Sequence, residues 1–334
     1  MFTSGAEGYH TYRIPALVVS TRGTLLAICE GRKNNHNDWG EINIVLKRSF
    51  DNGTTWQRMQ IVAAEEGDIT IGNPAPVVDT DTGKVWLAFC RNNDQVYVTN
   101  SADDGATWST PENITRDVKL PAWTWYATGP GHGIQLKTGR LLIPCWADGT
   151  QKIGEIQFSF CIYSDDHGAT WKRGRALTRN ASDECDIVEL NDGSIYLNAR
   201  SRKGKRQRAW ALSRDRGHSW SEVRYDAAQP EPSCDGAVLR LTDTRLFKKN
   251  RVLVSCPANP RSRDHLTVRM SYDECRSWSV SKLVDAGYSG YSDLAATTDK
   301  TILCLYETNS VRDITLVRFN VEWLTDEQDS LNPR

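Results

Sequence analysis

Methionine and histidine are scarce in this chain, with three and six copies among 334 residues. Six histidines without metal-like spacing, and no Cys-x-x-C pair, supply no motif for a metal site built from those residues. No apolar run approaches the roughly twenty residues of a membrane-crossing helix, so no membrane insertion of that kind is expected. Net charge is also missing, since 41 basic side chains face 42 acidic ones. No bulk field then draws nucleic acid or an anionic membrane, and any anionic ligand must be held by locally arranged arginines. Helical periodicity is almost absent. No Pro/Ser-rich linker, charge block or low-complexity segment marks a boundary, so one domain over residues 1–334 is expected. Tyr9–Val19 already reads as a strand, so no leader peptide is expected in the sequence as it stands.

Cysteine is present in an odd count of nine. Cys29, Cys90, Cys145, Cys161, Cys256 and Cys304 lie in strand-like runs such as LLAICE and ILCLYE. That placement suits buried thiols acting as small hydrophobes better than a disulfide framework.

What the chain has in abundance is one phrase, repeated with variation. SFDNGTTW begins at Ser49, SADDGATW at Ser101, SDDHGATW at Ser164 and SRDRGHSW at Ser213, with a decayed copy, SYDECRSW, at Ser271. Successive copies start 52, 63, 49 and 58 residues apart. Periods in this range belong to propellers and solenoids. Within each copy, Asp bonds neighbouring backbone N–H groups and Gly takes a positive φ without steric cost, which makes a tight turn. Trp covers the turn, and its indole N–H still needs a partner. An alternating or apolar run precedes each copy, INIVLKRS and QVYVTNS among them, and reads as a strand. These are Asp boxes, and the fifth, with Cys275 in the glycine position, is expected to be a distorted turn. At roughly 40–50 residues per four-stranded blade, five boxed blades and one unboxed blade use nearly the whole chain. The expected fold is an all-β, six-bladed β-propeller with Asp-box hairpin turns.

Arg13 opens the apolar strand YHTYRIPALVV, where an arginine needs a partner because burying its charge alone is very costly. Y-R-I-P followed by an Asp-box propeller resembles the exo-sialidases (neuraminidases) of the bacterial and animal type, and the resemblance covers almost the whole chain. It implies that Arg13, Arg200 in DGSIYLNARS and Arg263 in PRSRDHLTVRMSYD grip a substrate carboxylate. Planar guanidinium groups suit that task through bidentate charge-assisted bonds. Arg261 and Arg269 are neighbouring alternatives for the third arginine. Arg32, in LLAICEGRKNNHNDWGEINIVLKRS, corresponds to an additional arginine near the carboxylate. Asp38 corresponds to the acid/base, with Glu41 as the second choice in the same loop.

The resemblance further implies Tyr291, in AGYSGYSDLA, as nucleophile, with Tyr288 as its rival, and Glu184 as the base that accepts its proton. Glu307, in ILCLYETNS, corresponds to the glutamate that holds Arg13. Asp183 is a polar neighbour with no assigned role. Asn73, Trp123, Trp125, Tyr126 and His132 are candidates for contacts to the sugar's N-acyl and glycerol groups. The implied activity is a retaining exo-α-sialidase acting on sialylated glycoproteins, glycolipids and oligosaccharides, with no metal or organic cofactor. The alternatives are a glycosidase for a related ulosonic acid, deaminated sialic acid or Kdo, and a non-catalytic glycan-binding propeller. A secreted or periplasmic location after removal of a signal is the expectation, with a cytoplasmic or lysosomal one as the alternative.

Overall fold

The computed structural model describes residues 1–149 and 156–331. Within these residues the strands form six antiparallel sheets, or blades, around a common axis. The first blade comprises Thr11–Val19, Leu25–Arg32, Ile42–Ser49 and Gln60–Ala63 in chain order from axis to rim. The second comprises Ile71–Val78, Val85–Arg91, Gln95–Ser101 and Glu112–Asn113. In the third, Trp125–Thr128 and Ile134–Gln135 share the innermost place, followed by Leu141–Asp148, Gln157–Ser164 and Lys172–Arg173. Ser182–Glu189, Ile195–Ser201, Gln207–Ser213 and Arg224–Pro230 make the fourth.

The last two blades are tied together by one long strand, Val280–Ala296. Its first half pairs with Asp264–Ser271 as the rim of the fifth blade, outside Ala237–Thr242 and Arg251–Pro257. Its second half pairs with Ile302–Thr308 as the axis strand of the sixth. Asp313–Phe319 comes next, and Phe2–Thr3 from the other end of the chain adds the outermost strand, with Phe2 opposite Ile314. Pairing of the two chain ends in one blade closes the ring.

Closure explains why one blade has no box. Every Asp box is the turn between the third and fourth strands of its blade, and in the sixth blade those strands are not consecutive. The box bonds are the same in all five copies. Ser49 Oγ accepts from Gly53 N (2.9 Å), while Asp51 accepts from Thr55 N (2.8 Å) and Thr55 Oγ1 (2.6 Å). The fifth copy keeps this pattern: Cys275 N reaches Ser271 Oγ at 2.9 Å and Ser277 N reaches Asp273 at 2.9 Å. The distortion expected there is absent. Cys275 adopts φ 62°, in the same left-handed region as the glycines it replaces. Bonds among Ser271, Asp273 and Ser277 hold a conformation that an L-residue disfavours by about 1–2 kcal/mol.

The core is divided to match. Six apolar clusters fill the six interfaces between neighbouring blades, and the tryptophan of each box packs into the interface with the preceding blade. The expected partner for the indole N–H exists at Trp278, which donates to Asp226 at 2.8 Å. Among the described residues, Trp108, Trp171 and Trp220 have none. Eight of the nine cysteines are buried thiols in these cores or beneath the site, and Cys275 is half-buried.

Candidate active site

Antiparallel pairing fails at the same end of four axis strands. The register shifts between Arg13 and Ala16, Gly72 and Ala75, Ser182 and Cys185, and Ser289 and Ser292. Such bulges re-aim side chains, and here they turn Ile14, Asn73, Glu184 and Tyr291 into one cleft of about 450 Å³. Trp56 and Trp108, on the rim, take no part in it.

Tyr291 lies on the floor, 6% exposed, with its hydroxyl hydrogen-bonded to Glu184. Arg200 Nη1 approaches Glu184 at 2.7 Å and the Tyr291 oxygen at 3.3 Å. The guanidinium carbons of Arg13 and Arg263 stand 4.9 and 5.2 Å from the centre of the Tyr291 ring. Three cations therefore surround one phenol. Burial, then the charge of Glu184, raises the Tyr291 pKa well above its ordinary value despite those arginines. For Glu184, burial alone would raise the pKa, but Arg200, the Tyr291 hydroxyl and Arg263 together bring it below the usual carboxylate range. The resting pair is a phenol beside a carboxylate.

Each arginine is held by a fixing group, and Arg200 and Arg263 share theirs, Ser233. Glu307, fully buried, takes Arg13 Nε and Nη2 at 3.0 and 3.1 Å, and accepts from the backbone N–H of Ile14 (3.0 Å) and Tyr291 (3.1 Å). Gly290 permits this approach, since a Cβ there would meet Glu307 Oε2 at 2.2 Å. One carboxylate thus sets both an arginine of the cleft and the backbone that carries Tyr291. Glu30 repeats the device one blade on, taking Arg32 at 2.6 and 2.9 Å and the N–H of Asn73 at 2.8 Å. Arg200 Nε bonds Ser233 Oγ at 3.1 Å, and Arg263 bonds the Ser233 carbonyl at 3.2 Å.

Asp38 sits on the loop between the second and third strands of the first blade, its side chain 55% exposed, against Arg32 (2.9 Å) and Arg13 (3.4 Å). Its carbonyl accepts from Asn93 Nδ2 at 3.0 Å, and Asn93 in turn accepts from Asn73. The structure thus brings together Arg13, Arg32, Asp38, Glu184, Arg200, Arg263 and Tyr291 along one cleft, with Glu307 directly behind. Of the rival candidates, Arg261 is exposed, Arg269 is buried against Cys256, and Glu41 pairs with Lys33 beside the cleft. Tyr288 is half-buried and does not line the cleft.

Among the sugar-contact candidates, Asn73 and Trp125 line the cleft, and Trp123, Tyr126 and His132 do not. Trp123 and Tyr126 are core residues packed with Phe160, and His132 is buried against Asp293 at 2.7 Å. Residue type alone does not separate an aromatic that faces a cleft from one that fills a core. Sequence reading also missed Trp39, Asn93, Arg202 and Trp146, which line the cleft; Trp146 stacks on Trp125 at 5.8 Å, and Arg202 reaches Asp183 at 3.5 Å. No motif marks Asn93, Arg202 and Trp146, because it is the convergence of blades that makes them neighbours, whereas Trp39 follows Asp38 within the same loop segment.

A larger hollow of about 800 Å³ is lined by Asp51, Arg318, Phe319 and Trp323 among others, and shares no residue with the cleft. Among the described residues, two groups of His and Asp come close enough to suggest a cation. Their atoms are otherwise engaged: Asp293 and Asp186 accept backbone N–H groups from Leu17, Leu294, Ile187 and Val238. Asp79 and Asp81 share the amide of Gln135.

Residues 23–304 match the BNR repeat-like domain family. A sialidase of Micromonospora viridifaciens is 34% identical over 96% of this chain, which spans only 53% of that protein's length. An exo-alpha-sialidase of Aspergillus fumigatus is also 34% identical, over 95% of this chain and 86% of its own length. The solved structure of the Hadza microbial sialidase Hz136 has a TM-score of 0.88 and 30% identity, covering 97% of this chain and 68% of that one. With the boxes, the propeller and these similarities over nearly the whole of this chain in agreement, the chain belongs to the sialidase family of β-propeller glycosidases.

Proposed function

We propose that the protein is a retaining exo-α-sialidase that releases terminal sialic acids from glycoproteins, glycolipids and oligosaccharides through a covalent glycosyl-tyrosine. The observation that carries this reading is the Tyr291–Glu184 pair set beneath three arginines. Mere binding of a glycan needs arginines but has no use for a phenol bonded to a buried base.

The anomeric carbon of a sialoside bears a carboxylate. Arg13, Arg200 and Arg263 hold it, and the incoming anion takes the place of Asp38 on Arg13. Asp38, in its acid form, gives a proton to the glycosidic oxygen as the bond from that oxygen to the anomeric carbon breaks. The Tyr291 oxygen bonds to the same carbon while its proton passes to Glu184. A carboxylate nucleophile would approach against the substrate's own charge, whereas a neutral phenol does not. The arginines near the ring favour the charge that develops on its oxygen. In the second half, Asp38 takes a proton from water, water displaces Tyr291, and Glu184 returns its proton to the phenolate. Two inversions leave the configuration retained.

Mass spectrometry after exposure to a 2,3-difluoro sialic acid tests the reading, with a sugar adduct expected on Tyr291. An adduct on Tyr288, Asp38 or Glu184 would overturn it. The clamp recognises a carboxylate and not an N-acyl group, so a related ulosonic acid is the second reading. A panel of fluorogenic N-acetyl, N-glycolyl and deaminated sialosides, with Kdo, separates the two.

A further inference from the structure

One large aromatic side chain at the cleft has no part in the chemistry above. Trp39 is 65% exposed, directly succeeds Asp38 in the chain, and forms a wall of both the catalytic cleft and a second hollow of about 190 Å³. That hollow is lined by Asn35, Asn37, Glu41 and Asp68 among others.

An exposed tryptophan on a loose loop would be ordinary on a protein surface. Here the backbone on both sides of Trp39 is fixed. The Asp38 carbonyl is held by Asn93 at 3.0 Å, and the N–H and carbonyl of Gly40 bond Thr70 Oγ1 at 3.0 and 3.1 Å. Two residues further back, Asn35 Oδ1 accepts from Asn37 N at 2.8 Å, and Arg32 holds the His36 carbonyl at 2.5 Å. The indole is therefore presented to solvent on an anchored frame, which lowers the ordering cost of any ligand that stacks on it.

We infer that Trp39 and the hollow beside it bind the neutral hexose to which the sialic acid is attached. This deepens the sialidase reading and rests on it. Asp38 must reach the glycosidic oxygen, so the leaving sugar projects past Asp38, away from the arginines of the fourth and fifth blades and toward the next residue on the loop. A hexose ring offers a face of C–H groups that packs on an indole, and its hydroxyls suit the amides and carboxylates of the hollow. An anionic occupant is disfavoured, because Glu41 and Asp68 line the same hollow and its two cations are already engaged, Lys33 with Glu41 and Arg32 with Glu30 and Asp38.

The test compares two substrates that share the sialic acid and differ in the group it is attached to, sialyllactose and methyl α-sialoside. Trp39→Ala is expected to lower the ratio of their kcat/KM values roughly three- to tenfold, the range for one lost stacking contact, and Trp39→Phe to preserve most of it. Saturation-transfer NMR with lactose alone should show ring-proton contact in the unmodified protein and none in Trp39→Ala. An unchanged ratio, or equal losses on both substrates, would overturn the inference, the latter because Trp39 would then only order the Asp38 loop. Failure of the unmodified protein to cleave either sialoside would instead remove the sialidase reading, and this one with it.

Discussion

The rim and the axis of this propeller are built on opposite plans. At the rim, one eight-residue turn is repeated five times with the same bonds, the Ser Oγ accepting from the backbone N–H of Gly (Cys275 in the fifth copy) and the Asp accepting from Thr or Ser, so that Ser49, Ser101, Ser164, Ser213 and Ser271 do one job. At the axis, equivalent bulges in four blades deliver four different residues: Ile14, Asn73, Glu184 and Tyr291. Repetition outside positions the blades, and divergence inside supplies the chemistry. A substitution at the rim should therefore alter stability without altering turnover, and one among the cleft residues the reverse.

The largest expected contrast is between Tyr291→Phe and Gly168→Ala. Losing the oxygen of the proposed nucleophile should lower kcat/KM by roughly a thousandfold or more on every sialoside, with little change in the urea midpoint. Gly168 has φ 89°, and a Cβ there would lie 2.1 Å from Trp86 of the preceding blade. Strain and overpacking together should cost about 2–5 kcal/mol of stability, while kcat/KM per folded molecule stays within about twofold. Loss of activity in folded Gly168→Ala would break the comparison.

Next is Asp38, proposed to give its proton to a poor leaving group. Asp38→Ala should reduce cleavage of a sialyl-oligosaccharide by about 10²–10⁴, and that of an activated aryl sialoside far less. Equal losses on the two would remove its role as acid. The clamp comes third. Arg263→Ala should lose about 2–4 kcal/mol of transition-state stabilisation, while exposed Arg261→Ala should stay near the unmodified rate. The reverse pattern in steady-state kinetics would move the third arginine to Arg261.

Stability against pH separates the two regions again. Hydrogen bonds from Thr55 and Thr107 hold the box carboxyls of Asp51 and Asp103 at about 2, against an ordinary 3.8. Groups lowered in this way contribute stability that is present above 3.8 and lost as pH falls toward 2. At the axis, burial would lower the pKa of His132, but the charges of Asp293 and Asp186 outweigh it and raise it from 6.5 to about 9. Its contribution is complete below 6.5 and lost as pH rises through 9. Urea midpoints measured from pH 2.5 to 9.5 should fall at both ends, and His132→Gln should flatten only the alkaline fall.

The same division decides how much of the molecule was legible in the sequence. The Asp boxes carry their bonding partners within eight residues, so the turn, the strand before it and the blade count could be read directly. Arg13, Asp38, Glu184, Arg200, Arg263 and Tyr291 were legible through family phrases around each, such as Y-R-I-P. Asn93, Trp146 and Arg202 had no such phrase, because their place depends on which strand ends meet across the axis. His132 shows the same limit from the other side: its partner Asp293 lies in another blade, and nothing local marks it as buried.

The smallest expected effect falls on the one rim turn that broke the sequence rule. Cys275→Gly would remove the cost of an L-residue at φ 62°, about 1–2 kcal/mol. It would also forfeit a half-buried side chain packed in the cluster around Tyr196 and Trp210, at about 1 kcal/mol, and loosen the unfolded chain by roughly 0.4–1 kcal/mol. These nearly cancel, so the urea midpoint should shift by the equivalent of about 1 kcal/mol at most. The reverse change in the neighbouring blade has no such balance. Gly217 has φ 82°, and a Cβ there would stand 2.8 Å from Leu142, so Gly217→Cys meets strain and crowding together and should cost about 2–4 kcal/mol. The asymmetry separates the two reasons for a box glycine. In the fifth box the interface accommodates a side chain and only the backbone angle remains to be satisfied. In the fourth, both requirements hold. A loss above about 2 kcal/mol for Cys275→Gly would show that its side chain, and not the Ser271 and Asp273 bonds, holds the fifth turn in place.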